Sequence, residues 1–266
     1  MSTLLAVSRW ATTPAAEAAT LAAELGIAVY DLTLRLNGPL PVLVATNLED
    51  SAARRLLGGL RARNNGAICL DQHTLLAVAD LYVPRTFSGD ATGLVLSEPG
   101  KPPVSVRFGE IAALLRAKGS VESSTHIKTE HRTFSAAKAV MTGGLLVSKT
   151  VRSELSQVVA EQEQVLYIVM AAPARALVLQ ESTLHYEGLG ALLQKTTAEN
   201  FRILRQVLRD HAPQALYDER LFVQRRKREL VSLAGTTTNS EAISSNSYTN
   251  LLAAQLIVAA HREGQL

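Results

Sequence analysis

The chain has 266 residues, 47% of them hydrophobic and 19% charged, with aromatics at 5%. That composition excludes a disordered chain and supplies a core of many small aliphatic contacts, a bacterial-type mixture rich in alanine and leucine. A formal charge of +3 and a pI near 9.1 fall short of a dedicated nucleic-acid binder, and the single cysteine, Cys69, excludes an internal disulfide and fits a reducing cytoplasm.

No targeting segment or membrane span is expected. The first apolar run stops at Ser8 and Arg9, and the run over 251–260 is about half of a span and is broken by Gln255. The expected compartment is therefore the cytoplasm.

Residues 1–72 read as strand, helix, strand, tight turn, strand, helix, strand. An apolar segment over 4–9 suits a first strand. Thr12, Thr13 and Pro14 offer a capped helix start, and Gly26 a stop. Over 27–36, Tyr30, Leu32, Leu34 and Leu36 alternate with Asp31, Thr33 and Arg35, the pattern of a half-buried antiparallel strand. Asn37, Gly38 and Pro39 turn the chain into a strand over 42–46. Asn47 is placed to cap a helix carrying Leu56, Leu57 and Leu60, and 67–70 closes the unit. The order βαββαβ resembles the split βαβ of ferredoxin-like modules, some of which bind RNA. The strands offer only Tyr30 as an aromatic for base stacking, so the resemblance implies a fold and no function.

Residues 73–212 read as a β-rich mixed domain. Short strands are expected over 85–88, 93–97 and 104–108, then an amphipathic segment over 110–117 with Ile111, Leu114 and Leu115 on one side. A polar stretch follows over 118–133. The run 165–171 is apolar throughout, hence a buried strand, and 175–180 returns from a turn at Pro173; 183–187 is a further short strand. Thr196 or Thr197 caps a helix with Phe201, Leu204, Val207 and Leu208 on one face and Arg202, Arg205 and Arg209 on the other. Short antiparallel strands closed by a long amphipathic helix resemble a pleckstrin-homology-type barrel over 84–212, with a long insertion over 118–163. A two-layer α+β sandwich uses the same elements.

Three pieces complete an α+β reading: a basic helix over 213–234, a Ser/Thr/Asn-rich linker over 235–247, and a docking helix over 248–266 with Leu251, Leu252, Leu256 and Ile257 as its apolar residues. An isolated helix of that length is marginal in water, so it should dock on its own domain, on a second copy, or on a partner.

Several strings invite chemistry and fall short of it. The segment 143–150 approaches the phosphate-loop pattern, but Ser148 stands where the glycine before Lys149 is needed. His126 and His131, with Glu130 between them, lack the further ligands of a zinc site, and His185 reads as strand surface. Glu161 and Glu163 are spaced as a pair in a segment that resembles a helix end, and no Gly-x-Ser-x-Gly elbow occurs. Cys69 reads as a small buried hydrophobe. No catalytic residue, cofactor or metal site is therefore expected. The strongest charge feature is Arg225, Arg226, Lys227 and Arg228 with Arg220 nearby, a candidate contact for nucleic acid or a partner, and otherwise a solvated helix face.

The expected function is non-catalytic interaction or scaffolding, with self-association through the last helix. The alternatives are nucleic-acid binding through 220–228, and a ligand sensor or enzyme with a site between domains.

Overall fold

The computed structural model describes residues 2–134, 148–171, 175–223 and 245–266, the side chains of 120–134, 148–162 and 245–249 excepted. It is a mixed α+β protein that divides into two compact units, Met1–Gly119 with Glu163–Leu266, and Ser120–Gln162. No helix among the described residues is long and apolar enough to cross a membrane.

The first sheet has the order β2-β1-β3, built from β1 (Thr3–Arg9), β2 (Val42–Leu48) and β3 (Gly66–Asp71), both outer strands antiparallel to β1. Helices α1 (Pro14–Leu25), α2 (Val29–Leu36) and α3 (Asp50–Ala62) cover one face. Thr13 caps α1 through its Oγ1, and Gly26 ends it at φ 67°, a left-handed conformation that favours glycine. The expected βαββαβ order is corrected here to βααβαβ, because the expected strand over 27–36 is α2. Leu32 and Leu36 are buried one helical turn apart, whereas Tyr30 and Leu34 are 72% and 58% exposed. Alternation and i,i+4 spacing share those two leucines, and β1 already has a strand on each side. Asn47 does not cap α3; Glu49 holds that position.

A half-buried ion pair joins α1 to the end of α3. Glu17 is 6% exposed and accepts from Arg63 Nε at 2.8 Å and from Asn65 Nδ2 at 2.9 Å. Asn65 Oδ1 in turn accepts from the Ala11 N–H.

The second sheet has the order β10-β7-β8-β9, from β7 (Ile111–Phe134), β8 (Ser148–Met170), β9 (Ala176–Gln180) and β10 (Leu216–Asp218). Within the first unit β7, β8 and β9 are buried on both faces. Leu114, Leu166, Ile168, Leu177 and Leu179 enter one core, and Ala113, Leu115, Val165, Tyr167 and Val178 the other. The segment 110–117 is therefore strand after its first residue, and the backbone of the polar stretch 118–133 continues that strand. A strand buried on both sides loses its two-residue period and imitates other patterns.

The first of those cores is shared with an antiparallel three-stranded sheet, β4 (Thr86–Gly89), β5 (Gly93–Ser97) and β6 (Val104–Arg107), and with helix α4 (Thr197–His211). Thr196 caps α4, accepting from the Glu199 N–H. The expected strand over 183–187 is not formed; a turn and loop lead there into a short 3-10 helix, Glu187–Leu192. The expected helix from 214 begins instead as β10, parallel to β7, followed by the four-residue helix α5 (Arg220–Val223). Residues 224–234, and 235–244 of the expected linker, lie outside the described residues.

The last helix, α6 (Ser245–Arg262), starts ahead of its expected bound and takes in Asn246 and Ser247. It lies between two sheets. Leu252, Leu256 and Ala260 pack on Leu4, Ala6, Leu43 and Ile68 of the first sheet, while Leu251, Ala254, Ile257 and Val258 pack on the second. Polar groups set its position along the groove. Gln255 both accepts from and donates to the Leu76 backbone, at 2.8 and 3.3 Å. Asn250 Nδ2 donates to the Lys118 carbonyl at 2.7 Å, Ser8 Oγ donates to the Gln265 carbonyl at 2.5 Å, and Arg61 pairs with Glu263. A Cβ at Gly66 would strike that Gln265 carbonyl oxygen, so a glycine is required where the chain end passes.

Candidate functional site

The expected contact residues divide sharply. Leu251, Leu252, Leu256 and Ile257 are 1%, 8%, 2% and 0% exposed, so the docking helix docks on its own chain. Arg220 is held by Asp218, which accepts from its Nε at 2.8 Å and caps its backbone N–H. Arg225, Arg226, Lys227 and Arg228 lie outside the described residues, as do 143–147 of the phosphate-loop-like string. His126, Glu130 and His131 fall on the backbone of β7 and Glu161 on that of β8; their side chains lie outside the described set. Glu163, also a strand residue, binds Ser182 through Oε2, and its buried Oε1 has no hydrogen-bond partner among the described residues. His185 is exposed. Cys69 contacts the Ala53 carbonyl at 3.7 Å, and burial pushes its thiol up to about 11 against the lowering effect of Arg61, which leaves it protonated and unreactive near neutral pH. Among the described residues no group of three or more His, Cys, Asp or Glu could hold a metal ion.

What the fold does bring together is a cluster of cations around Arg116. In β7, Arg116 follows the alternation of Leu114, and in β8, Gln164 follows that of Leu166, so both side chains emerge on the face covered by α4. The register of β10 sets Tyr217 against Leu114 and Asp218 against Leu115, which carries Glu219 to Arg116. Helix α4 adds Arg205 and Arg209, one turn apart.

The guanidinium of Arg116 is tightly committed, with a side chain 16% exposed. It donates to Gln164 Oε1 from Nη2 at 2.7 Å and from Nε at 3.2 Å, reaches Glu219 Oε2 at 3.3 Å, and stacks 3.5 Å above the Phe222 ring. Lys118 Nζ lies 5.1 Å from the same ring, and the Arg209 guanidinium stacks 4.0 Å above Tyr217. Arg205 adds one long bond, 3.4 Å, to the Gln164 oxygen that already serves Arg116.

The electrostatics follow from this crowding. Burial lowers the Arg205 pKa, and the neighbouring charges of Arg116 and Arg209 push the same way against Tyr217 and Glu219. The Tyr217 hydroxyl donates to Glu219, which together with Arg116 holds that carboxyl below its ordinary value. Burial and that same bond raise the Tyr217 phenol. Arg116 thus binds Glu219 while Arg205, Arg209 and Lys118 stand around it through Gln164, Tyr217 and Phe222, an arrangement suited to holding an anion. Arg205 and Arg209 lie on the side of α4 expected to be solvated, together with Arg202. Of the other members, Arg116 alone shows in the sequence, as a charge inside an apolar run; Gln164 and Glu219 lie in polar surroundings and give no local signal.

No protein-family model matches the chain, and neither a curated protein nor a solved structure gives a match.

Proposed function

We propose that this chain is a non-catalytic interaction protein, a cytoplasmic scaffold whose contact surface is the arginine face of α4 and β10. The observation that supports it is the excess of cations over Glu219 in a cluster held rigid by stacking and by the sheet register. Self-association through the last helix is set aside in this reading, because its apolar residues are spent inside the chain. The single cysteine supports a reducing compartment. The antiparallel β4–β6 sheet, the β7–β9 strands and α4 closing their shared core support a pleckstrin-homology-type arrangement over 84–212, to which β10 is an addition.

The test is reconstitution. A partner captured from the native host is purified and mixed with the full chain, and the mass of the mixture is measured by light scattering. A stoichiometric complex that weakens with Arg209→Glu supports the reading; a chain that stays alone with every purified candidate sinks it. Nucleic-acid binding through 220–228 remains the rival, and the pairing of Arg220 with Asp218 counts against it. A steep salt-dependent shift with DNA or RNA, and none with protein, would decide for the rival.

A further inference from the structure

We infer that Arg205 and Arg209, with Arg116 behind them, form a carboxylate-binding site for an acidic segment of a partner protein, an inference that rests on the interaction reading above. Arg116 is a fixed charge: its donors are taken by Gln164 and Glu219, and its face by Phe222. It cannot swing out to a ligand, but its field stays in the site. Arg205 and Arg209 are differently placed. Apart from the long contact to Gln164, the Arg205 guanidinium makes no hydrogen bond among the described residues, and Arg209 makes none. Arg209 uses only its face, against Tyr217, which leaves its edge of N–H groups open. Two such edges one helical turn apart suit the fork geometry in which guanidinium binds carboxylate.

Charge complementarity selects the occupant. The cluster holds the cations Arg116, Lys118, Arg205 and Arg209 and the single carboxylate Glu219, which is already engaged by Tyr217 and Arg116. Next to Arg209 on α4, however, stands the exposed Asp210, which accepts from Gln206. A continuous polyphosphate tracking this surface would meet that carboxylate. A short acidic segment needs room for one or two carboxyl groups only, which the two open arginine edges provide.

The experiment is a fluorescence-anisotropy titration of the full chain with a labelled oligo-glutamate peptide and, separately, a labelled single-stranded DNA oligomer of equal charge, at low salt. The peptide is expected to bind, and the affinity is expected to fall about tenfold in Arg205→Ala and in Arg209→Ala, the loss of a charge-assisted fork. Arg54→Ala, a control at an exposed arginine on α3, should change it less than about twofold, since isolated surface charges contribute little. Thermal melts check folding; because Arg209 is exposed, its variant decides if Arg205→Ala does not fold. The inference is overturned if oligo-glutamate does not bind, if Arg54→Ala costs as much as Arg209→Ala, or if the DNA oligomer binds more tightly. Arg209→Ala that captures a purified partner as well as the parent chain overturns the site and leaves the interaction reading standing. A chain that binds oligo-glutamate through Arg205 yet forms no complex with any purified protein overturns the reading instead.

Discussion

Helices α4 and α6 are comparable in length and play opposite parts. Helix α4 has one buried stripe, Phe201, Leu204 and Leu208, and turns its arginines outward, so half of it belongs to the core and half to the surface. Helix α6 has no outward half over most of its length: 251–254 and 256–258 are buried, on one side against the first sheet and on the other against the second. A helix apolar all round is stable only when enclosed. The difference teaches where this molecule can present a binding surface. A face can evolve on α4 without touching the core, and cannot on α6.

The sharpest way to break that comparison is a charge at the enclosed position. Ile257→Asp places a carboxylate between the two sheets and should cost more than about 5 kcal/mol, enough to unfold a domain of ordinary stability. Chemical denaturation reads it directly. A folded variant of near-parental stability would mean that α6 is not enclosed in solution. Leu204→Ala, on the buried stripe of α4, should cost about 2–5 kcal/mol and leave a folded chain with a lower denaturation midpoint.

A weaker effect is expected at the arginine cluster, where Glu219 titrates. Its folded pKa lies below the unfolded value, so its contribution is complete above about pH 4.3 and is lost as the pH falls through the folded value. The melting temperatures of the parent and Glu219→Gln should therefore differ at neutral pH and converge in acid. A gap that widens in acid would contradict the assignment. Smallest of all, Leu34→Ser on the exposed side of α2 should move stability by less than about 0.5 kcal/mol. Had 27–36 been a strand with Leu34 inside, as its alternation suggests, the loss would be several-fold larger.

The same residues show how much was legible. Helix α4 could be read because its cap, its stripe and its charged side are all local: Thr196, Phe201 and Arg205 lie within a few turns of one another. Helix α2 could not, because Leu32 and Leu36 satisfy both periods and the choice was made by strands elsewhere in the chain. Along β7, Ile111, Leu114 and Leu115 imitate an amphipathic helix only because the strand is buried on both faces. The arginine cluster was half legible. Its α4 members were visible as an outward stripe, whereas Arg116, Gln164 and Glu219 meet only through sheet pairings between segments far apart in sequence. Enclosure of α6 was foreshadowed by its apolar circumference, and its location by nothing local.

The position of α6 also sets a timetable for synthesis. Leu4, Ala6, Leu43 and Ile68 leave the ribosome well before the side chains that cover them, Leu252 and Leu256. At the ordinary pace of translation of about 5–20 residues per second, roughly 10–40 s separate Ile68 from its cover. Throughout that interval the first sheet can close under α1, α2 and α3 on one side while its opposite face stays greasy and open. Ribosome-bound chains halted before 245 should accordingly be cut readily by protease within β1–β3 and become resistant once α6 has emerged. The first sheet is thus completed only when a segment made long after it comes to cover its open face.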